Sequence, residues 1–185
     1  DHILSVIKAC PQHTFLTLTK RPALMRRDFD DRDDRPGPPN LWLGVSVENQ
    51  KTADERIPFL LQTPAAKRFV SYEPALGPID FSTALAGQDI DWVIMGRENG
   101  HGARPMHLDW ARSTRDQCKA AGAPFFFKGW GEWLPEPAAD WDEKDRIVLP
   151  DGGETSMWRH KHIAKRYEPE LCARLDGIEH KEVPR

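Results

Sequence analysis

No run of apolar residues approaches the roughly 18 needed to cross a bilayer, and the amino terminus lacks a basic stretch followed by a hydrophobic one. Neither a spanning helix nor a secretory leader is expected from these residues, and a cytoplasmic protein is expected. Excess charge of one sign is missing too. The 26 Lys+Arg stand against 29 Asp+Glu, a formal net charge of -3, so nothing draws the whole chain to phosphate backbones or anionic membranes. Any nucleic-acid contact must be local. Cysteine is scarce: Cys10, Cys118 and Cys172 lie far apart, which suits neither a disulfide framework nor a zinc or iron–sulfur ligand set. Reduced, structural thiols are the expectation.

What is present suffices for one domain with a sizeable core: 185 residues, 39% hydrophobic and 30% charged. Five short apolar, β-rich runs stand out: Thr14 to Thr19, Leu41 to Val47, Arg68 to Tyr72, Asp91 to Gly96 and Pro124 to Phe127. Each ends in charged or polar residues, respectively Lys20-Arg21, Glu48-Asn49, Glu73, Arg97-Glu98-Asn99 and Lys128. Between them lie helix-like stretches: Pro22 to Phe29, a segment from about Thr52 that Pro64 ends, Phe81 to Ala86, and His107 to Ala121 with Gly122 as its stop. A first helix, His2 to Ala9, precedes them. The near-continuous apolar character of Leu41 to Val47 fits a strand covered on both faces. Alternation of this kind, with connections too long for hairpins, selects a parallel sheet in an α/β fold.

In such a sheet the carboxyl ends of the strands share one edge, so the strand-terminal groups converge on one mouth. Lys20 and Arg21 suit a carboxylate or phosphate, with arginine supplying a bidentate fork, and suit equally a surface pair at a helix start. Glu48 and Glu73 are fitted to an ammonium group, a cation or proton transfer. The turn Gly96-Arg97-Glu98-Asn99-Gly100-His101-Gly102 permits tight backbone paths, but its glycine spacing differs from the dinucleotide fingerprint. Lys128 ends the last strand. The loop Gly129 to Trp133 offers Trp130 as a stacking face, against the blander alternative that its tryptophans seal the core. His160 and His162 flank Lys161 in a basic stretch that reads as a solvated patch. Residues 1–133 are expected as a partial (β/α) barrel domain and residues 134–185 as an irregular extension packed on it or trailing from it, partly helical near Ile163 to Tyr167. The start at Asp1, inside a helix-like stretch, suggests a fragment.

The motifs T-L-T-K-R-P (Thr17 to Pro22), N-L-W-L-G-V-S-V-E-N-Q (Asn40 to Gln50), F-V-S-Y-E-P-A-L-G-P-I-D (Phe69 to Asp80), D-W-V-I-M-G-R-E-N-G (Asp91 to Gly100), G-A-R-P-M-H-L-D-W (Gly102 to Trp110) and P-F-F-F-K-G-W-G-E-W (Pro124 to Trp133) carry a resemblance. So does the run from Ala53 to Ala66. Together they resemble the phage and prophage protein family usually called gene product thirty-seven/sixty-eight, a family of unknown function similar to radical S-adenosylmethionine enzymes. That resemblance implies a complete or partial TIM-like barrel. It also implies a cysteine-rich segment, amino-terminal to the region present here, for a four-iron four-sulfur cluster.

By that resemblance this chain binds no cofactor alone and is inactive alone, while the longer parent uses the cluster and S-adenosylmethionine. Lys20, Glu48, Glu73, Glu98 and Lys128 become candidate catalytic residues, Gly96, Glu98, Asn99 and Arg104 cofactor contacts, and Arg21 and Trp130 substrate contacts. Arg97 departs from the family's usual glycine and adds bulk and charge where the backbone would approach a ligand closely. Two other classes stay open. One is a cluster-free barrel enzyme using Glu and Lys for acid–base work on an anionic metabolite. The other is a nucleic-acid or protein-binding module of a mobile element, acting through the Trp130 to Trp133 loop and the basic stretch Arg159 to Arg166.

Overall fold

Five parallel strands in sequential order, β1-β2-β3-β4-β5, form one sheet in the computed structural model, which describes residues 2–30, 37–100, 102–131, 133–134, 147–148, 154–155, 158–159 and 173–184. The strands are β1 (Phe15–Thr19), β2 (Leu41–Val47), β3 (Lys67–Tyr72), β4 (Trp92–Gly96) and β5 (Phe125–Gly129). The helices are α1 (His2–Ala9), α2 (Pro22–Asp30), α3 (Gln50–Gln62), α4 (Ser82–Ala86) and α5 (Leu108–Ala121). The fold is therefore α/β, and β1 and β5 are the two edges of an open sheet.

Two boundaries differ instructively from the sequence reading. α3 starts two residues earlier than the expected Thr52, because Asn49 caps it: its side chain accepts from the Thr52 backbone N–H, and Thr52 Oγ1 in turn accepts from the Asn49 N–H. β5 runs on to Gly129, so Lys128 lies inside the strand rather than after it. A register shift against β4 falls between Met95 and Gly96, beside Lys128.

Strand register divides the sheet into two unlike faces. Leu43, Val45 and Val47 pair with Arg68, Val70 and Tyr72, and Val70 and Tyr72 with Val93 and Met95, all but Arg68 pointing into the main core. Every helix contributes to that core, through Ile7, Met25, Ile57, Leu60, Leu85 and Trp110 among others. The other face carries Trp42, Phe69, Trp92, Ile94 and Phe126, and no helix residue joins this cluster. Its rings meet edge to face: Trp92 lies 6.2 Å from Trp42 and 5.9 Å from Phe126 by ring centroids, a geometry aromatic pairs favour. Gly44 makes this packing possible. A Cβ there would collide with the Phe69 ring from the neighbouring strand.

The described carboxyl-terminal residues, 173–184, pack on the sheet. The hairpin β10 (Arg174–Leu175) and β11 (Ile178–Glu179) turns at Asp176-Gly177, both at positive φ, a turn that Asp-Gly favours. Beyond it the backbone pairs antiparallel with the β5 edge: the Phe127 N–H donates to the His180 carbonyl (2.8 Å) and the Glu182 N–H to the Phe125 carbonyl (3.2 Å). Leu175 is fully buried, and Asp176 accepts from both Arg112 and Arg115 at 2.6 Å. Between β5 and this strap the described residues include β6 (Trp133–Leu134) paired with β9 (Trp158–Arg159), and β7 (Ile147–Val148) paired with β8 (Glu154–Thr155). The expected helix at Ile163 to Tyr167 and the pair His160 and His162 lie outside the described residues.

Candidate functional site

The helix-free face changes character along the strands. Near their amino ends it is aromatic; then come Ser46 and Ser71, opposite one another in register, and finally Glu48 and Glu73, each one residue beyond the paired Val47 and Tyr72. Adjacent strands are about 5 Å apart, so the two carboxylates leave neighbouring backbone positions at one edge. Lys20 follows β1 at the same edge, and Lys128 reaches it from β5. The register shift at Gly96 explains the aim of Lys128, since an irregularity of this kind re-directs side chains at a strand end.

Two ion-paired groups result. Glu48, the one charged residue fully buried among those described, receives Lys20 Nζ at 2.5 Å and Arg56 Nη1 at 3.1 Å. Burial by itself would raise its pKa, but the hydrogen bond from Lys20 and the charges of Arg56 and Lys20 outweigh that, and the carboxyl is held below its ordinary 4.5. Arg56 also donates to the Ser46 carbonyl at 2.7 Å. Sequence reasoning did not single out Arg56, because only the packing of α3 on β2 brings it to the strand end.

In the second group, Glu73 Oε2 accepts from Lys128 Nζ at 2.9 Å and from Ser71 Oγ at 3.3 Å. This pair reaches across β4, and Gly96 leaves the room. A Cβ on Gly96 would collide with Glu73 Oε1 and lie 3.2 Å from Lys128 Cβ. Lys128 is about half exposed and Glu73 mostly shielded, which leaves the ammonium open to solvent at the edge. The loop after β3 crosses above both groups: the Leu76 N–H donates to the Glu48 carbonyl (2.8 Å) and the Ala75 N–H to the Gly96 carbonyl (3.0 Å).

Glu98 and Arg104 satisfy each other. Arg104 donates its backbone N–H and Nε at 2.8 Å and Nη2 at 2.6 Å, and these bonds hold the Glu98 carboxyl at about 2. The pair closes the loop from residue 98 to 104, within which Asn99 is exposed. Glu48 and Glu98 thus stay ionised at neutral pH. They are suited to holding cations and not to donating protons.

Arg21 begins α2: its carbonyl accepts from Leu24 and Met25, while its own N–H donates to Thr19 Oγ1 at 2.9 Å. Trp130 is 2% exposed, its ring 4.9 Å from Phe127 and its Nε1 donating to the Arg174 carbonyl at 2.8 Å. It seals the core, the blander alternative of the two, and presents no ring face for stacking. Trp133 is likewise buried, donating to the Ala103 carbonyl at 2.9 Å. The basic stretch Arg159 to Arg166 lies outside the described residues but for the backbone of Arg159.

Cys118 is fully buried in the core, and burial pushes its thiol up to about 12. Cys10 sits half-buried at the end of α1. These two thiols do not fit an iron–sulfur cluster. No group of three or more His, Cys, Asp or Glu among the described residues is arranged to hold a metal ion. No helix among them is long and apolar enough to cross a membrane.

A family profile decides the relationship at the level of family. The chain belongs to the family described as Protein of unknown function (DUF5131), which matches residues 1–184. Neither a curated protein nor a solved structure matches it.

Proposed function

We propose that this DUF5131 chain is the ligand-holding arc of a (β/α) barrel protein of the radical S-adenosylmethionine-like kind that its phage-family motifs resemble. One observation carries the reading: the ion pairs Lys20–Glu48 and Lys128–Glu73 stand at the carboxyl ends of the strands, on a sheet face that no described helix covers, and strand carboxyl ends are where parallel barrels bind ligands. The sequential strand order with all the described helices on one side supports the same architecture, since each βαβ crossover then turns the same way, as around a barrel wall.

The zwitterionic end of S-adenosylmethionine is complementary to this edge, its ammonium to Glu73 and its carboxylate to Lys128. The described thiols do not fit the cluster that such enzymes carry. On this reading the cluster cysteines belong to a segment amino-terminal to Asp1 in a longer parent. The test is to express that parent, reconstitute it without oxygen and measure cleavage of S-adenosylmethionine, with Glu73→Gln and Lys128→Met alongside. Cleavage that both variants abolish supports the reading; a parent without clustered cysteines, or one that binds no S-adenosylmethionine, sinks it.

A second reading draws on the direct hydrogen bond between Lys128 and Glu73, which sets side chains of the two kinds that acid–base work uses next to each other at the strand ends. On that reading the chain belongs to a cluster-free barrel enzyme acting on an anionic metabolite, and turnover in metal-free protein distinguishes it. The nucleic-acid reading loses its stacking ring with Trp130 in the core.

A further inference from the structure

We infer that Arg97 is an oxyanion hook at the carboxyl ends of β4 and β5, recruiting a phosphate or carboxylate group of the ligand. The inference rests on the reading of this edge as a ligand site. Each carboxylate there already has a cation of its own: Glu48 has Lys20 and Arg56, Glu73 has Lys128, and Glu98 has Arg104. Arg97 is left over. It directly follows Gly96, the last residue of β4, and its side chain lies across the backbone of Gly131 just past β5. Gly131 has φ +71, and a Cβ there would collide with Arg97 Nε and Cδ, so the glycine supplies the bed on which the side chain rests.

Arg97 is half-buried, yet no ion pair or hydrogen bond engages its guanidinium among the described residues. A planar fork of five N–H donors, partly desolvated and without a carboxylate, is unusual, because partly buried charge is normally paired. The guanidinium is also not sealed from ligand. Among the described side-chain nitrogens and oxygens, His180 Nε2 is the one that is both fully buried and unpartnered. Such a fork matches the two oxygens of a carboxylate or phosphate.

The test uses the full chain and two probes at constant ionic strength, inorganic pyrophosphate and succinate, titrated by calorimetry. Binding of either probe that Arg97→Ala weakens at least tenfold, that Arg97→Lys partly restores, and that Lys119→Ala leaves unchanged supports the hook. Pyrophosphate alone marks a phosphate ligand, and succinate alone a carboxylate. Circular dichroism of both Arg97 variants keeps misfolding apart from lost binding. Absence of binding to the unsubstituted chain, an unchanged affinity in Arg97→Ala, or equal weakening by Lys119→Ala overturns it. If Lys128→Met abolishes binding while Arg97→Ala does not, the hook falls and the ligand site at Glu73 and Lys128 stands. If Arg97→Ala abolishes binding while S-adenosylmethionine still fails to bind the parent, the hook stands and the cofactor reading falls.

Discussion

Replacing Glu48 by Gln removes one charge from the best-shielded ion group among the described residues while keeping its shape. Glu48 is 11% exposed as a side chain, Arg56 18% and Lys20 57%, so the two cations are held in different dielectric surroundings. Hydrogen bonds to charged groups contribute about 1.5–3 kcal/mol, and breaking a buried pair costs roughly 3–5 kcal/mol. Arg56 keeps the Ser46 carbonyl at 2.7 Å after the change, and some solvent reaches it, which places the cost near the lower figures.

A loss of about 2 kcal/mol is therefore expected, or roughly 4–8 °C in Tm for a domain of this size. A double-mutant cycle with Arg56→Met should return most of that as coupling, about 1.5–2 kcal/mol, whereas Lys20→Met should couple by less than about 1 kcal/mol because Lys20 is exposed. The pH dependence has a definite sign. The folded-state pKa of Glu48 is depressed, so its stabilisation is complete above the ordinary 4.5 and is lost as pH falls through the lower folded value. The Tm gap between the parent chain and Glu48→Gln should stay constant near neutrality and close on acidification below 4.5. A larger coupling to Lys20 than to Arg56, or a gap that widens in acid, refutes the reasoning.

Gly44→Ala should destabilise by about 1–2 kcal/mol in urea unfolding, overpacking against the Phe69 ring outweighing the loss of chain entropy in the unfolded state, and Phe69→Leu in the same chain should recover most of it. A neutral Gly44→Ala contradicts the close packing of the aromatic face. Cys118 should resist iodoacetamide in the folded chain while Cys10 labels, with Cys118 reacting only in denaturant; peptide mapping by mass spectrometry reads this, and fast native labelling of Cys118 contradicts its burial. Asp176→Asn keeps a residue tolerant of φ 52 but weakens the clamp of Arg112 and Arg115, and should cost about 1 kcal/mol or less. Amide exchange should then quicken at Phe127 and Glu182, where the strap meets β5, before it quickens elsewhere; uniform exchange behaviour rules out the clamp.

The strands were legible because their signal is local. Leu41 to Val47 is apolar almost throughout, and a segment covered by helices on one face and by aromatic rings on the other can read no other way. The start of α3 was misplaced because Asn49 and Thr52 read as ordinary polar residues until their reciprocal capping bonds form. The strap from Arg174 to Glu182 went unread for a related reason. It offers one buried Leu and two arginine contacts, too little apolar periodicity for a pattern to register, although the Asp-Gly turn was visible in the chain.

By itself the sequence determined that charged groups stand at the carboxyl ends of five successive strands, because alternation of β and α segments admits a parallel sheet and a parallel sheet gathers those ends on one edge. Tertiary structure alone decided how those groups are partnered. Arg56 belongs to Glu48 because α3 packs on β2, Lys128 belongs to Glu73 because Gly96 leaves a gap across β4, and Trp130 belongs to the core because the strap accepts its N–H. The physical reason is range: strand and helix patterns are set by neighbours a few residues away, whereas Glu73 and Lys128 meet across 55 residues of chain, a distance no local periodicity encodes.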